Sequence, residues 1–261
     1  MREQHQRTVD RLVAHFKDDP AFLALIVGGS IACGWEKEDS DVDILLLATE
    51  EEYARRLPER ALHYFSRDFC DFPGGYVDGK ILDLAFLKEV AERGSEPARA
   101  AFKGAILAYS HLPELEGLLK EIPVYPEAQR INRIQSFYAQ VQAMSWYVGE
   151  AEKRNDPYLL RKMSADLVLF GGRLILAHNR ILFPFHKWFM QELRSAPEKP
   201  ENMLTLAEEL LVHPGKETAE AFARSVLDFT TWEMPSEGWP ARFMEDTEWP
   251  WRRGWSPIAE C

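Results

Sequence analysis

The pattern of hydrophobic and polar residues changes along the chain, and it predicts strands in the first half only. Residues 3–17 carry apolar side chains at helical spacing, which predicts an amphipathic helix. Apolar runs at 21–29 and 42–48 predict strands, and a helical pattern follows. That helix is expected over 50–64, with further strand-like pieces at 69–72, 76–77 and 80–87 and turns at Gly74-Gly75 and Asp78-Gly79. This order of elements predicts a small mixed sheet with helices.

The second half of the chain carries a helical pattern throughout. Strand signals vanish from about Pro97, and PVYP at 123–126 is typical of a linker. The predicted helices are 127–154, 157–179, 184–195, 200–212 and 216–230. The sequence therefore predicts an α+β protein, with a small mixed-sheet domain at 1–122 and an all-helical bundle domain at 123–261.

A tail rich in tryptophan and proline ends the chain. Its tryptophans are Trp232, Trp239, Trp249, Trp251 and Trp255. The proline breaks argue against a helix, so we expect a coil packed over the bundle. A lid that stacks on a nucleotide base is the alternative.

The second apolar run begins with two aspartates. A strand points alternate side chains to opposite faces, so Asp41 and Asp43 share one face while Val42 and Ile44 point to the other. Two neighbouring carboxylates repel each other, and a hard divalent cation removes that cost. Magnesium is normally held by one or two carboxylates together with substrate phosphates. The Asp-x-Asp step therefore predicts a magnesium site.

The first apolar run leads into Gly28-Gly29-Ser30, ten residues before Ser40. Glycine lets the backbone approach a phosphate without a Cβ in the way. Ser30 is expected to cap a short helix, whose N–H groups attract anions. Phosphates and metal are therefore predicted to meet at this point of the chain.

The succession Gly-Gly-Ser, a spacer, and then Ser-Asp-x-Asp before apolar residues resembles the DNA polymerase beta-like nucleotidyltransferase superfamily. The resemblance implies two magnesium ions on Asp41 and Asp43 and a nucleoside triphosphate bound by Gly28, Gly29, Ser30 and Ser40. It also implies a third carboxylate on a neighbouring strand. In KILDLAFL that position falls to Asp83, as a third metal ligand and catalytic residue.

A nucleotidyltransferase domain followed by helices resembles the antibiotic nucleotidyltransferases, including those for aminoglycosides and lincosamides. In these enzymes an acceptor hydroxyl lies between the two domains and a carboxylate removes its proton. The candidates for this general base are Asp83, Glu89, Glu150 and Asp166. The resemblance implies transfer of a nucleoside monophosphate, expected to be AMP from ATP, to the hydroxyl of a small molecule.

Charge narrows the class of acceptor. The formal net charge of −11 disfavours nucleic acid, whose binding depends on lysine and arginine, and it favours a small cationic molecule such as an aminoglycoside. No apolar stretch approaches the roughly 20 residues that span a bilayer, so we expect a cytoplasmic protein that does not bind membranes. Three cysteines without Cys-x-x-Cys spacing argue against a disulfide framework or a structural zinc site.

Two alternatives remain open from the sequence. The acceptor is a protein tyrosine or serine in the first, and in the second the fold is a regulatory, antitoxin-like module without catalysis. The presence of Asp41, Asp43 and Asp83 favours an enzyme over the second alternative. The sequence leaves the oligomeric state and the base of the nucleotide open.

Overall fold

A computed structural model of the protein describes residues 1–255. The chain divides into two compact units, Met1–Val124 and Tyr125–Cys261. Unit 1 is built on a β-sheet and unit 2 consists of helices, so the protein is α+β, as predicted. Across residues 1–255, no helix combines the length and the apolar character needed to cross a bilayer.

Unit 1 contains a five-stranded mixed sheet with the order β3-β4-β2-β1-β5. The strands are β1 Phe22–Val27, β2 Val42–Ala48, β3 His63–Ser66, β4 Val77–Leu82 and β5 Ile106–Ser110. β2 and β4 are parallel, whereas the other neighbouring pairs are antiparallel. β2 therefore lies in the middle of the sheet, with hydrogen-bonded neighbours on both sides.

Helices cover both faces of this sheet. They are α1 Glu3–Phe16, α2 Gly29–Ala32, α3 Glu50–Arg56, α4 Leu84–Arg93, α5 Glu96–Ala100 and α6 Leu115–Glu121. Val42, Ile44 and Leu46 of β2 pack in one core with residues of α1, and Leu45 and Leu47 pack in a second core with residues of α4 and α6. Strand alternation puts Asp43 on the face of Leu45 and Leu47.

Two differences from the prediction concern the strand β3 and the start of β4. The predicted helix over 50–64 ends at Arg56, and His63–Ser66 forms the edge strand β3. Asp78 and Gly79 lie inside β4 and not in a turn. Packing explains this glycine, because a Cβ at position 79 would lie 2.6 Å from Ile44 Cγ1.

The other two differences concern the end of β4 and the strand β5. β4 ends at Leu82, and the apolar residues that follow it begin α4. β5 lies beyond Pro97, where no strand was predicted. This edge strand pairs only with β1, and none of its side chains is fully buried. The alternation of apolar and polar residues that marks a half-buried strand is therefore missing from its sequence.

Unit 2 is a helical bundle around one apolar core. Its helices are α7 Arg130–Arg154, α8 Pro157–His178, α9 His186–Ser195, α10 Met203–Val212, α11 Lys216–Leu227 and α12 Trp239–Phe243. On α7, for example, Val141, Met144 and Val148 are buried at helical spacing. The five helices predicted for this half are confirmed, each end lying within three residues of the expected one.

The tryptophan-rich segment packs on the bundle as expected, but it is coil only as far as Gly238 and then forms short helices. α12 continues into a π-helical turn at Met244–Glu248 and a 3₁₀ turn at Pro250–Arg253. Trp232 is buried and donates from Nε1 to the Val226 carbonyl at 3.0 Å, and Trp239 packs against the core. The segment is thus attached to the bundle at its start, while Trp251 and Trp255 are exposed.

Candidate nucleotide and metal site

The turn after β1 brings Gly29 directly against β2. Gly29 has a φ of +59°, and a Cβ at this position would lie 1.7 Å from Asp43 Oδ2. The Gly28 N–H donates to the Asp43 carbonyl at 2.9 Å. Backbone conformation and lack of space both require glycine at position 29. The turn and the Asp43 carboxylate therefore form one site.

Three carboxylates lie close to the hydroxyl of Tyr76. Asp43 and Asp78 are register partners on the parallel strands β2 and β4, so both side chains lie on one face. Asp41, one residue before β2, is hydrogen bonded to the Tyr76 hydroxyl. That bond, the charge of Asp41, burial, and the charges of Asp78 and Asp43 raise the pKa of Tyr76, in this order.

Asp78 has a second neighbour on the edge strand. His63 Nε2 lies 2.6 Å from Asp78 Oδ1, and both side chains are open to solvent. The chain thus presents Asp41, Asp43 and Asp78 together at one end of β2. The sequence pattern did not indicate Asp78, Tyr76 or His63 as members of this group. The alternation of Val77, Gly79 and Ile81 was the signal for this strand, and the turn expected at Asp78-Gly79 hid it.

Asp83 does not belong to this group of carboxylates, contrary to the prediction. It lies just after β4 and caps α4, where its Oδ1 accepts the Phe86 N–H at 2.8 Å. The register pairs Leu82 with Leu47, so Asp83 is about five residues, or roughly 16 Å, along the strands from Asp43. The apolar run that suggested a long strand contains the start of a helix instead.

The two serines of the motif are neighbours of the site residues in sequence: Ser30 follows Gly29, and Ser40 precedes Asp41. Ser30 is buried as the second residue of α2, whose N-cap is Gly28, so Ser30 does not cap this helix as expected. The Ser40 hydroxyl accepts the Lys37 N–H at 2.8 Å and closes a turn before Asp41. Ser40 thus shapes the loop, and the role of both serines in nucleotide binding stays a prediction.

Helix α1 holds the loop that precedes Asp41. Gln4 Nε2 donates to the Glu38 carbonyl, and His5 Nε2 lies 3.1 Å from the Ser40 carbonyl. Burial lowers the pKa of His5, so the ring is neutral at pH 7 and donates from Nε2. We call these two contacts the α1 brace. Through the contact from His5, the carbonyl of Ser40, the residue before Asp41, is held against α1.

The remaining candidates for the general base all have basic neighbours. Glu89 on α4 is paired with Arg93 and is about half exposed. On α7, a hydrogen bond from Lys153, at 2.7 Å, lowers the pKa of Glu150 and weakens it as a base. Asp166 on α8 is paired with Lys162. Each of these three pairs joins residues within one helical turn.

The donor set fits magnesium held jointly with a phosphate. Within residues 1–255, no group of three or more His, Cys, Asp or Glu side chains has the arrangement of a complete metal site. Magnesium seldom uses such a site, because it prefers one or two carboxylates, substrate phosphates and water. Asp41 and Asp43 supply hard oxygen donors beside a turn where a side chain would block access. The residues present are therefore compatible with a metal–phosphate complex.

Comparison with known proteins gives a distant structural likeness. No protein-family model matches the chain, and no curated protein matches it in sequence. A nucleotidyltransferase-like protein from Exiguobacterium sibiricum 255-15 aligns in structure with a TM-score of 0.45 and 12% identity, over 93% of this chain and 75% of that chain. A likeness at this level identifies neither a family nor an activity.

Proposed function

We propose that unit 1 transfers a nucleoside monophosphate, expected to be AMP, from a nucleoside triphosphate to a hydroxyl of a small cationic molecule. One observation carries this proposal. Asp43 and its register partner Asp78 lie at the end of β2 beside the Gly29 turn, and Asp41, just before β2, is hydrogen bonded to the Tyr76 hydroxyl. Acidic side chains beside a backbone turn without side chains suit a substrate that brings both phosphate and magnesium.

The reaction places a different demand on each part of the site. The acceptor oxygen forms a bond to the α-phosphorus, the bond to the β-phosphate oxygen breaks, and pyrophosphate leaves. When bound, magnesium neutralises the phosphates and the charge that develops on the leaving oxygen. Asp41 and Asp43 would hold it, with Asp78 completing the set in the place first expected for Asp83. Gly28 and Gly29 let the backbone lie against the phosphates.

The proton of the acceptor hydroxyl must pass to a base. Among the carboxylates around Tyr76, Asp78 lies nearest the sheet edge and contacts His63, whose ring orients it. A base has to lie within hydrogen-bonding reach of the hydroxyl it deprotonates. Asp78 would meet this requirement for an acceptor that approached from the β3 side. Glu89, Glu150 and Asp166 are each paired with a lysine or arginine, so we favour Asp78.

The acceptor class rests on charge. A net charge of −11 weakens binding of a polyanion and attracts a cation, so a small amine-bearing molecule is favoured over RNA or DNA. A protein hydroxyl remains the second candidate for the acceptor. A regulatory module of the same fold is disfavoured, since it would not need Asp41, Asp43 and Asp78 at this end of β2.

The test follows mass gain on candidate acceptors. The full chain is incubated with magnesium, each of the four nucleoside triphosphates, and a panel of aminoglycosides, lincosamides and proteins. We expect a nucleotide-sized mass gain on a small amine-bearing acceptor, with pyrophosphate release. Asp43→Asn should lower turnover by about 10²–10³-fold or more, because it removes charge stabilisation from the transition state.

Asp39→Asn is the matched control, since Asp39 is an exposed carboxylate in the loop just before β2 and its replacement changes the net charge equally. It should keep turnover near that of the unmodified chain. Labelling of protein alone would move the acceptor to the second candidate. Magnesium-dependent nucleotide binding without transfer to any acceptor would favour the regulatory module. Equal activity of both variants would remove the proposed role of Asp43.

A further inference from the structure

Unit 2 contains a cavity of about 690 Å³ that the proposed reaction does not use. It lies among α7, α8 and the segment from α12 to Trp255. Its volume falls within the roughly 300–1,000 Å³ that is usual for small-molecule sites. Since every lining residue belongs to unit 2, the cavity can be considered on its own.

More of the cavity wall is apolar than polar, and most of its apolar side chains are aromatic rings or methionines. Its apolar side chains include Phe137, Met144, Tyr147, Met163, Phe170 and Phe243. Aromatic pairs stand at contact distance on two sides, with ring centroids 6.3 Å apart for Phe137 and Phe170 and 6.1 Å for Tyr147 and Phe243. Such rings accept a flat apolar body, and methionines adjust to its outline.

The wall formed by the C-terminal segment is fixed by polar contacts. The buried Gln140 donates from Nε2 to Thr247 Oγ1 at 2.9 Å. Arg242 donates to Asp246 Oδ2 at 2.8 Å and to Asn132 Oδ1 at 2.8 Å, which joins the segment to α7. These contacts neutralise Asp246 and hold residues 242–247 of the wall against α7.

Asp166 is the charged group that a ligand can use. Its partner Lys162 is 50% exposed, whereas Asp166 is only 20% exposed at the cavity wall. An ion pair of this kind contributes little, about 0–1 kcal/mol, and a lysine side chain moves into water at low cost. Arg173, the other cation of the lining, stacks on Phe137 at 4.3 Å from its centroid. A ligand ammonium can therefore replace Lys162 on Asp166.

We propose that this cavity binds a small molecule with one aromatic body and one amine. The ammonium contacts Asp166 and the ring lies among Phe137, Phe170 and Tyr147. The proposed contacts use no residue of the candidate site in unit 1. The test of this proposal contains no nucleotide, so the two proposals fail separately.

The test is calorimetric titration of the full chain with three probes that share an indole ring. Tryptamine carries an ammonium, 3-ethylindole is neutral, and indole-3-propionate carries a carboxylate. We expect tryptamine to bind about fivefold more tightly than either of the others, which is the upper end of what an ion pair of this kind contributes, because only it replaces Lys162 on Asp166. Asp166→Asn should remove this preference. Asp228→Asn, a charge-matched change at an exposed position of unit 2, should preserve it.

A second variant checks the location of binding. Met163→Trp places a larger side chain in the cavity and should abolish tryptamine binding, while the thermal transition of the variant shows whether it folds. Asp166→Asn changes no volume and decides the matter if Met163→Trp is unfolded. Three results overturn the proposal: no tryptamine binding up to its solubility limit, equal binding of 3-ethylindole, or tighter binding of indole-3-propionate.

Discussion

Replacing Gly29 by alanine tests the structure at the closest contact of the candidate site. The new Cβ would lie 1.7 Å from Oδ2, 2.5 Å from Cγ and 2.7 Å from Cβ of Asp43. Rotation about χ1 moves the carboxylate away but leaves the Cβ of Asp43 in place. β2 is held by β1 and β4 on its two sides, so the Gly29 turn has to move.

The cost has two parts. A left-handed conformation costs an alanine about 1–2 kcal/mol, and forcing atoms into a filled space costs about 1–3 kcal/mol more. Gly34→Ala separates these parts, because Gly34 has a φ of +70° in the same loop and a Cβ there meets nothing within 4 Å. The excess for Gly29→Ala should therefore be about 1–3 kcal/mol, or roughly 2–12 °C in the unfolding temperature.

Two measurements decide this prediction. Scanning calorimetry compares the unfolding temperatures of both variants, and titration compares their binding of a non-hydrolysable ATP analogue with magnesium. We expect Gly29→Ala to bind the nucleotide at least about tenfold more weakly than Gly34→Ala, because the Asp43 carboxylate is displaced. Equal stability and equal nucleotide affinity of the two variants would refute the contact between the turn and Asp43.

Three further predictions concern unit 1. Asp78→Asn should weaken magnesium-dependent nucleotide binding about tenfold or more, whereas Asp83→Asn should not, because asparagine also caps a helix; a larger effect at Asp83 would contradict the register. Arg99 is buried and donates to the carbonyls of residues 91, 92, 94 and 122. Arg99→Met should cost about 2–5 kcal/mol in urea unfolding, since these acceptors lose their donor; a cost below about 1 kcal/mol would contradict this. Hydrogen bonds from Arg55 and, second in size, from Arg56 lower the pKa of Glu52 from 4.5 to about 2. This contribution to stability is complete above pH 4.5 and lost as the pH falls towards 2, so Glu52→Gln should flatten the fall of the unfolding temperature over that window; an unchanged slope would count against it.

Local patterns in the sequence were sufficient for the helices of unit 2 and for the central strands of unit 1. α7 and α8 bury residues at helical spacing, and β1 and β2 are apolar on both sides because helices cover both faces of the sheet. The same alternation brought Asp41 and Asp43 to one end of one strand. These features depend on residues that are close in sequence.

Asp78, the proposed third carboxylate, could not be identified from the local sequence, because its place in β4 depends on packing between distant residues. Gly79 is required because Ile44 packs against it, yet in the sequence an Asp-Gly pair is typical of a turn. Reading a turn there moved the expected strand towards Asp83 and hid the pairing of Asp43 with Asp78. Only the register between β2 and β4 distinguishes the two aspartates.

The α1 brace affects when the loop before Asp41 loses its conformational freedom. A loop without these contacts would become ordered only as the nucleotide binds. Fixing the backbone of each residue costs about 1–2 kcal/mol in conformational entropy. Gln4 and His5 hold the carbonyls of Glu38 and Ser40, so this entropy is lost when the protein folds. The Lys37 and Ser40 N–H groups donate within this loop, so their hydrogens should exchange slowly before any nucleotide is added. The proposed nucleotide affinity would then depend on a helix that lies outside the candidate metal site.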